Sequence, residues 1–249
     1  MISPYDFGYS WPWTHGHLVL GALLAAFALA ARRYKWKWLS WVCLVGVLWS
    51  LAGFVIVQEV FRLNKPVVLP GSQFLSSGKG RVLDAGAGGG RSALMVLLAR
   101  PEARVVALDN FSADYIASEE GGRLLANARL AGVEGRVEVV KGDMREMPLE
   151  SDSFDAVVGA YSIDHLNAEG AGRALKEVHR VLKPGGQLLF LTIHRDMWVR
   201  VAYPFLHGHL YYGRSSAEQR WRSRFEEAGL EVVERGTQPG TLYILCRKR

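Results

Sequence analysis

The pattern of apolar and polar positions along the 249-residue chain changes character near residue 80. Two long uncharged apolar runs precede this point, His17–Ala31 and Trp38–Gln58. At 1.5 Å per helical residue the second run covers a hydrocarbon core of about 30 Å, and the first does so when its tryptophan-rich lead-in is counted. Because both runs are apolar on every face rather than along one stripe, they predict a membrane hairpin over residues 1–60.

Two alternatives for these runs are weaker. A buried helical pair inside a soluble protein would be expected to keep a polar face. A cleaved signal peptide is suggested by Ala28-Leu29-Ala30, which resembles a cleavage site, but no Lys or Arg precedes the first run and a second run follows. The segment RRYKWK between the runs combines four cations with two aromatics, a composition typical of a lipid–water interface.

From about Arg81 short apolar strands alternate with amphipathic helices, which predicts an α/β fold with a doubly wound, mostly parallel sheet covered on both faces. The predicted strands are Arg81–Asp84, Arg104–Asp109, Val137–Val140, Phe154–Ala160, Gln187–Ile193, Leu230–Glu234 and Thr241–Arg247. The predicted helices are Ser92–Ala99, a segment containing Leu124–Ala131, a stripe from Ala174 to Leu182 that Lys183-Pro184-Gly185-Gly186 ends, and Ala217–Ala228. A short turn joins the last two strands, which we expect to pair antiparallel. Residues 61–79 are then a connector or cap, and residues 80–249 a second domain.

Composition narrows the possible partners. The formal net charge of +6 suits an anionic partner, either nucleic acid or a phospholipid surface. Many of the cations lie beside the apolar runs, which favours the lipid surface. The two cysteines, Cys43 and Cys246, have no metal or redox spacing, so the sequence does not predict a disulfide framework, a zinc site or a cysteine-ligated cluster, and no metal is expected.

The stretch VLDAGAGGGR places a glycine-rich turn between the first predicted strand and a helix, where backbone can approach a ligand closely. Gly86 and Gly88 fit the first two positions of the dinucleotide pattern, but the third falls on Arg91. The pattern is instead D-x-G-x-G-x-G, and the carboxylate of Asp84 would repel a pyrophosphate. It would suit a ligand that carries an ammonium or sulfonium cation, which disfavours a nicotinamide oxidoreductase.

This stretch resembles the first motif of the class I S-adenosylmethionine (SAM) methyltransferases, and the resemblance extends from about Gly80 to the C-terminus. A second segment of the family is similar to KGDMREMPLESDSFDAVV. The run into strand five in the branch that contains ubiquinone and menaquinone C-methyltransferases is similar to EVHRVLKPGGQLLFLT. The resemblance implies a seven-stranded sheet and SAM as the cofactor. The cofactor-binding residues it implies are Asp84, Gly86, Gly88, Asp109, Asn110, Asp143 and Met144.

In this family the residue at Asp109 bonds the ribose hydroxyls, Asp143 accepts from the adenine amino group, and Met144 flanks the ring. Each position also has a simpler interpretation. Asp109 would then cap a loop, and Asp143 would form a turn. For Asn110, contact with ribose or adenine and plain turn formation are equally good interpretations.

The segment AYSIDHL after the fourth strand supplies Tyr161, Asp164 and His165 as candidate catalytic residues. Methyl transfer mainly needs alignment of the nucleophile, methyl and sulfur, and it needs a base only when the nucleophile arrives protonated. Two alternatives remain: Asp164 and His165 cap the next helix, or Tyr161 only packs against the cofactor.

The stretch from His194 to Gly213 is long and aromatic, and we interpret it as a substrate lid that also touches the bilayer. His194 and Tyr203 are the candidate substrate residues. The alternative is an ordinary helix with a core-facing stripe. His207 and His209 have no matching carboxylate or cysteine, so they do not indicate a metal site.

Together these features predict a membrane-associated methyltransferase that uses SAM and a lipid-soluble or amphiphilic small-molecule acceptor. The positive-inside tendency would put RRYKWK in the cytoplasm, yet a cytosolic cofactor requires a catalytic domain that faces the cytoplasm, so we expect that orientation at the cytoplasmic membrane and leave full spanning open. A nucleic-acid acceptor is not expected, because the N-P-P-Y type motif is missing after strand four. A membrane-anchored SAM-binding protein without catalysis, and a soluble acceptor, remain the alternatives.

Overall fold

The computed structural model describes residues 3–112, 121–205 and 217–249. A helical hairpin comes first: α1 spans Trp11–Arg33 and α2 spans Lys37–Val55. The chain then continues as a π-helical turn, Ile56–Phe61, instead of ending in a regular helical terminus. The hairpin is therefore followed directly by a segment whose backbone hydrogen bonding is irregular.

The rest of the chain forms a seven-stranded sheet in the order β3-β2-β1-β4-β5-β7-β6. The strands are β1 Lys79–Ala85, β2 Glu102–Asp109, β3 Val137–Lys141, β4 Phe154–Ala160, β5 Leu182–Ile193, β6 Leu230–Gln238 and β7 Thr241–Lys248. The helices are α3 Arg91–Ala99, α4 Gly122–Leu130, α5 Ala168–Val181, α6 Met197–Ala202 and α7 Ala217–Glu227. β7 lies antiparallel to both β5 and β6, and the other pairings are parallel. The predicted fold class is confirmed.

Two apolar layers hold the helices on the sheet. On one face Val157, Leu188 and Phe190 pack with the stripe of α5, and on the other Val82, Val105 and other strand residues pack with α3. The fully buried aliphatic and aromatic side chains each contribute roughly 1.5–3 kcal/mol to the transfer term. The strands therefore read as continuous apolar runs, as expected for a parallel sheet covered on both sides.

The segment Lys183–Gly186 follows the end of α5, as predicted, but it lies within β5, which begins at Leu182. The β4–β5 ladder jumps from Phe154 opposite Leu182 to Ala156 opposite Gln187, so these four residues bulge out of the pairing. Gly185 has φ of +75°, a backbone conformation that glycine adopts at low cost. The predicted turn is therefore present as a bulge within β5.

The two hairpin helices pack against each other through small residues and face outward with large ones. A Cβ at Gly21 would lie 3.5 Å from the Ser50 side chain, so the helices approach closely there. Leu29 is 71% exposed and Trp41 is 69% exposed. By length and composition both helices pass as candidate membrane spans, with only 22% and 33% of their most apolar windows buried. Most of the surface of the two helices is therefore exposed in this chain.

Candidate functional site

The glycine loop follows β1 at the point where the strand order reverses, the position where open α/β sheets bind ligands. Gly86, Gly88 and Gly90 all have positive φ, of 83°, 48° and 85°. A Cβ at Gly86 would lie 2.4 Å from the Ser162 Cβ and 2.8 Å from the Met144 Cε, so no larger residue fits without displacement. The loop is thus packed between the ends of β1 and β4, with the Met144 thioether against it.

Asp84 lies beneath the loop and is fully buried. Both of its carboxylate oxygens accept from the Ser92 hydroxyl, at 2.9 and 2.7 Å. Burial raises the pKa of Asp84 to about 7, and the negative charge of Asp109 adds to the rise. This placement makes Asp84 a brace between β1 and α3, and a direct contact with a cationic ligand stays a prediction.

Asp109, at the end of β2, is only partly buried and ties the glycine loop to the neighbouring connection. Its Oδ2 accepts from the backbone N–H of Gly88 at 2.8 Å, and its Oδ1 accepts from the N–H of Phe111 at 2.7 Å. A carboxylate held this way at the mouth of the cleft has further acceptor capacity for a pair of hydroxyls. The geometry suits the ribose role, which no contact in the structure tests.

Asn110 and Asp143 both form local turns. Asn110 accepts from the N–H and the hydroxyl of Ser112 at its Oδ1, at 3.1 and 2.9 Å. Asp143 accepts from the backbone N–H and the guanidinium of Arg145, and these hydrogen bonds lower its pKa. Both turn-forming interpretations therefore match the geometry, while the ligand contacts of the two residues remain predictions.

These residues fit SAM as a ligand. The loop offers backbone at close range, Asp109 offers acceptors for the ribose, and Met144 offers an apolar surface beside Gly86. Residues 113–120, which follow β2, lie outside the described part of the chain. Among the described residues, those that would hold SAM lie on the loop between β1 and α3 and at the ends of β2 and β3.

The three candidate catalytic residues lie on the connection after β4 but do not share one environment. Tyr161 is partly buried with φ of +53°, and its hydroxyl hydrogen bonds with that of Thr241 at the start of β7. Burial raises the pKa of Tyr161 to about 12, so its hydroxyl is protonated at neutral pH and is no base. Asp164 is buried and accepts from the Thr192 hydroxyl at 2.7 Å, whereas His165 is exposed.

The capping alternative for these residues is wrong. Asp164 and His165 lie in a single 3₁₀ turn, Ile163–His165. The N-cap of α5 is Asn167, whose side chain accepts from the Gly170 N–H at 2.8 Å. Asn167 supplies the short acceptor that a helix N-terminus needs, so Asp164 and His165 are left as candidates for chemistry.

The stretch from His194 to Gly213, for which the sequence left a lid and an ordinary helix open, contains the short helix α6. α6 occupies the first part of this stretch. Residues 206–216, among them His207 and His209, lie outside the described part of the chain. His194 is exposed and donates its backbone N–H to Gly240. Tyr203 donates its hydroxyl to the Trp13 carbonyl at 2.7 Å and stacks on Phe61, and burial raises its pKa. The substrate roles of His194 and Tyr203 remain untested.

The base of the hairpin docks on α6. The Trp49 indole N–H donates to the Val201 carbonyl at 2.9 Å, and the His17 Nε2 lies 2.7 Å from the Ala202 carbonyl. A Cβ at Gly53 would lie 2.3 Å from the His17 ring, so glycine makes the room for this imidazole. The hairpin and the segment after β5 are therefore packed directly against each other.

Sequence reasoning missed a further part of the site, residues 3–10, which we call the strap. The Phe7 backbone lies against Gly89, where a Cβ would come within 2.6 Å of the Phe7 carbonyl oxygen. The Phe7 side chain is 4% exposed and packs into the apolar layer under the loop. The aromatic residues ahead of α1 were the available signal, but their partner is a loop about 80 positions away in the printed sequence.

Among the described residues, no group of three or more His, Cys, Asp or Glu side chains is placed to hold a metal ion. The site instead combines a glycine loop, carboxylates at the strand ends and hydroxyl-bearing side chains after β4. Such a set can bind and orient an organic cofactor and an acceptor.

Comparison with known proteins identifies the family. The family model described as a methyltransferase domain matches residues 82–186, which run from β1 through the Lys183–Gly186 bulge. This part of the chain is a methyltransferase domain of the class I, SAM-dependent type. SAM is the cofactor of this family, in agreement with the fit of the glycine loop and Asp109.

Two curated relatives and one solved structure illustrate the similarity. The chain is 36% identical over 115 residues to a ubiquinone/menaquinone biosynthesis C-methyltransferase of Syntrophotalea carbinolica, covering 46% of this chain and 44% of the relative. It is 31% identical over 189 residues to a malonyl-[acyl-carrier protein] O-methyltransferase of Methylococcus capsulatus, covering 72% and 64%. A SAM-dependent methyltransferase from Aquifex aeolicus superposes with a TM-score of 0.51 at 18% identity, covering 68% of this chain and 82% of that one. The chain thus spans less than two thirds of either curated relative, and the last likeness concerns the fold alone.

Proposed function

We propose that this methyltransferase transfers the methyl group of SAM to a small amphiphilic acceptor at a membrane surface. The observation that carries the proposal is the docking of the hairpin on α6 through Trp49 and His17. The acceptor side of a class I methyltransferase lies beyond β4 and β5, so an acceptor held in lipid beside the hairpin has a short path to the site. The relatives named for ubiquinone/menaquinone biosynthesis and for malonyl-[acyl-carrier protein] support a small-molecule acceptor.

The outer surface of the hairpin supports the membrane part of the proposal. Large exposed apolar side chains follow both helices from end to end, and a contiguous apolar patch of that size on a soluble protein normally marks an interaction surface. At 1.5 Å per residue the 23 residues of α1 extend about 34 Å, enough for a hydrocarbon core. His17 and Trp49 of the hairpin contact α6, so the cationic segment with Arg32, Arg33, Lys35 and Lys37 lies at the far end of the hairpin. The positive-inside tendency would put these cations in the cytoplasm, but the supply of a cytosolic cofactor requires the catalytic domain to face the cytoplasm, and this is the orientation that we propose.

The chain's own residues mainly position the reactants. When bound, SAM supplies an electrophilic methyl group on a positively charged sulfur. Asp109 and the glycine loop would fix the cofactor, and the neutral hydroxyl of Tyr161, held by Thr241, would orient the acceptor beside it. Alignment of this kind is worth several kcal/mol of the barrier. Asp164 and His165 are the candidate bases for an acceptor that arrives protonated.

The test is to incubate full-length protein with methyl-labelled SAM and host membranes and then separate organic from aqueous phases. We expect enzyme-dependent label in the organic phase, lost in Asp109→Asn and retained in Asp155→Asn, a carboxylate that pairs with Lys183 at the opposite end of β4. Label confined to the aqueous phase would contradict the amphiphilic acceptor. SAM binding without any transfer would favour the non-catalytic SAM-binding protein. Label in nucleic acid would favour a nucleic-acid methyltransferase.

A further inference from the structure

Arg91, the first residue of α3, connects the glycine loop with both segments that flank the hairpin. Its Nη2 donates to the carbonyls of Phe61 and Arg62, at 2.7 and 3.1 Å. Its Nη1 lies 3.4 Å from the Tyr9 hydroxyl, and the guanidinium carbon lies 5.7 Å from the Tyr9 ring centroid. One side chain therefore holds the strap before α1 and the turn after α2.

The carbonyls that Arg91 binds are available because of how α2 ends. The helix passes into the π-helical turn, and Arg62 then adopts φ of +50° and reverses the chain. The last carbonyls of a helix have no partner within it, and they attract cations. Within the described residues no carboxylate pairs with Arg91, so these carbonyl groups and the Tyr9 ring provide its stabilising contacts.

The strap is also clamped to the glycine loop itself. The Asn127 side chain of α4 accepts from the Asp6 N–H at 3.0 Å and donates to the Asp6 carbonyl at 2.7 Å. The same amide donates to the Gly89 carbonyl at 2.9 Å, and Asn127 is 2% exposed. Gly89 has no room for a Cβ because the Phe7 backbone occupies it. A shift of the strap must therefore shift the loop that precedes Arg91.

We propose that Arg91 is a positioning residue that couples the docking of the hairpin to the shape of the SAM-binding loop. The inference rests on the proposed function only for the binding of SAM, and it holds for any acceptor. A guanidinium has five N–H donors in a rigid planar fork and also stacks on aromatic rings, so it suits two carbonyls and a ring better than the compact ammonium of lysine does. Undocking of the hairpin would remove three contacts from the residue that follows Gly90, and SAM affinity would fall with it.

The test uses the full chain in lipid nanodiscs, with SAM affinity measured by titration calorimetry and backbone exchange by hydrogen–deuterium mass spectrometry. We expect Arg91→Met to raise the Kd for SAM about tenfold, within the usual range of coupling between two sites. Exchange in the strap and in residues 56–62 should accelerate, and bound SAM should slow it in the wild type but much less in the variant. Arg91→Lys should lie between the two, and it keeps the test usable if Arg91→Met folds poorly.

Arg100→Met is the matched control, because Arg100 follows the other end of α3 and also donates to backbone carbonyls, those of Phe74 and Ser72. It should lower the melting temperature while the Kd for SAM stays within about twofold of wild type. Equal weakening in both variants, or an unchanged Kd in Arg91→Met, would overturn the inference while SAM binding stands. A wild-type chain that does not bind SAM would overturn the proposed function along with it.

Discussion

At the scale of single residues, the two carboxylates around the glycine loop have different environments and different expected roles. Asp84 is fully buried against Ser92, and Asp109 is partly buried at the cleft with backbone N–H groups from Gly88 and Phe111. Burial penalises the charged form of Asp84, whereas both carboxylate oxygens of Asp109 accept backbone hydrogen bonds at the end of β2. The first residue shapes the loop and the second is available to a ligand.

Asp84→Asn should flatten the pH dependence of folding stability. The pKa of Asp84 is about 7 in the folded chain against an ordinary 3.8, so the folded state holds this proton more tightly. The stabilisation is complete below about pH 4 and is lost as the pH rises through 7, a total of about 4 kcal/mol. Thermal unfolding in detergent at pH 5 and pH 8 should show a larger fall for wild type than for the variant. Equal falls would contradict the prediction.

Asp109→Asn should weaken SAM binding with little effect on folding. A hydrogen bond to a charged group is worth about 1.5–3 kcal/mol, which corresponds to a roughly ten- to hundredfold rise in Kd. Titration calorimetry measures it, with Asp155→Asn as the control carboxylate remote from the loop. If both variants bind SAM as wild type does, the ribose role of Asp109 is wrong.

At the scale of elements, α6 is positioned by the hairpin more than by its own length. A helix of six residues has little stability of its own, and its last carbonyls are bound by side chains of α1 and α2. Asp196 caps its start by accepting from the Val199 N–H at 3.0 Å. The position of α6 thus depends on tertiary contacts with the hairpin.

Trp49→Phe should raise the KM for the acceptor several-fold and change the Kd for SAM less, because the contacts of Arg91 with Phe61 and Arg62 remain. It removes the indole N–H that bonds the Val201 carbonyl, a loss of about 1 kcal/mol, and keeps the aromatic packing. Steady-state kinetics with the acceptor identified by labelling provide the measurement. Trp41→Phe, on the exposed face of the same helix, is the control, and identical kinetics for the two variants would count against the docking role.

At the scale of the whole molecule, the hairpin exposes many large apolar side chains, whereas the chain from β1 onward packs most of its large apolar side chains into two layers on the sheet. The helices contact each other and α6, and their remaining surface is apolar except at the end that carries Arg32, Arg33 and Lys37. A bilayer covers such a surface without requiring polar partners, because helical backbone groups are already hydrogen bonded.

Replacing Val45 and Leu48 together by lysine should reduce the amount of chain held in the membrane. Both side chains are about two-thirds exposed, at 65% and 67%, on the outer face of α2. Each lysine costs roughly 2.5–3.5 kcal/mol near the centre of a spanning helix. The measurement is the fraction in the pellet after an alkaline carbonate wash. Leu98→Lys, on the exposed surface of α3, should behave as wild type, and recovery of the wild-type chain in the supernatant would refute membrane insertion.

The fold and part of the site follow from local sequence. Strand and helix periodicity, the D-x-G-x-G-x-G turn and the family segments identify the sheet and place Asp109 and Met144 near the loop. Each of these patterns involves residues close together in the chain, so it can be recognised without the tertiary structure. The strap, α6 as a docked element and the distribution of Asp84 and Arg91 contacts do not appear in such patterns.

The sequence by itself determined the α/β class, the SAM-binding motif and the two apolar runs, because periodicity and turn chemistry are local. Only the tertiary structure decided that Asp84 faces Ser92, that Asn167 caps α5, and that the strap closes on the glycine loop. The Asp6–Asn127 contact joins residues 121 positions apart. Such a pair is specified by the packing of strap, loop and α4 against one another, and no pattern within either segment encodes it.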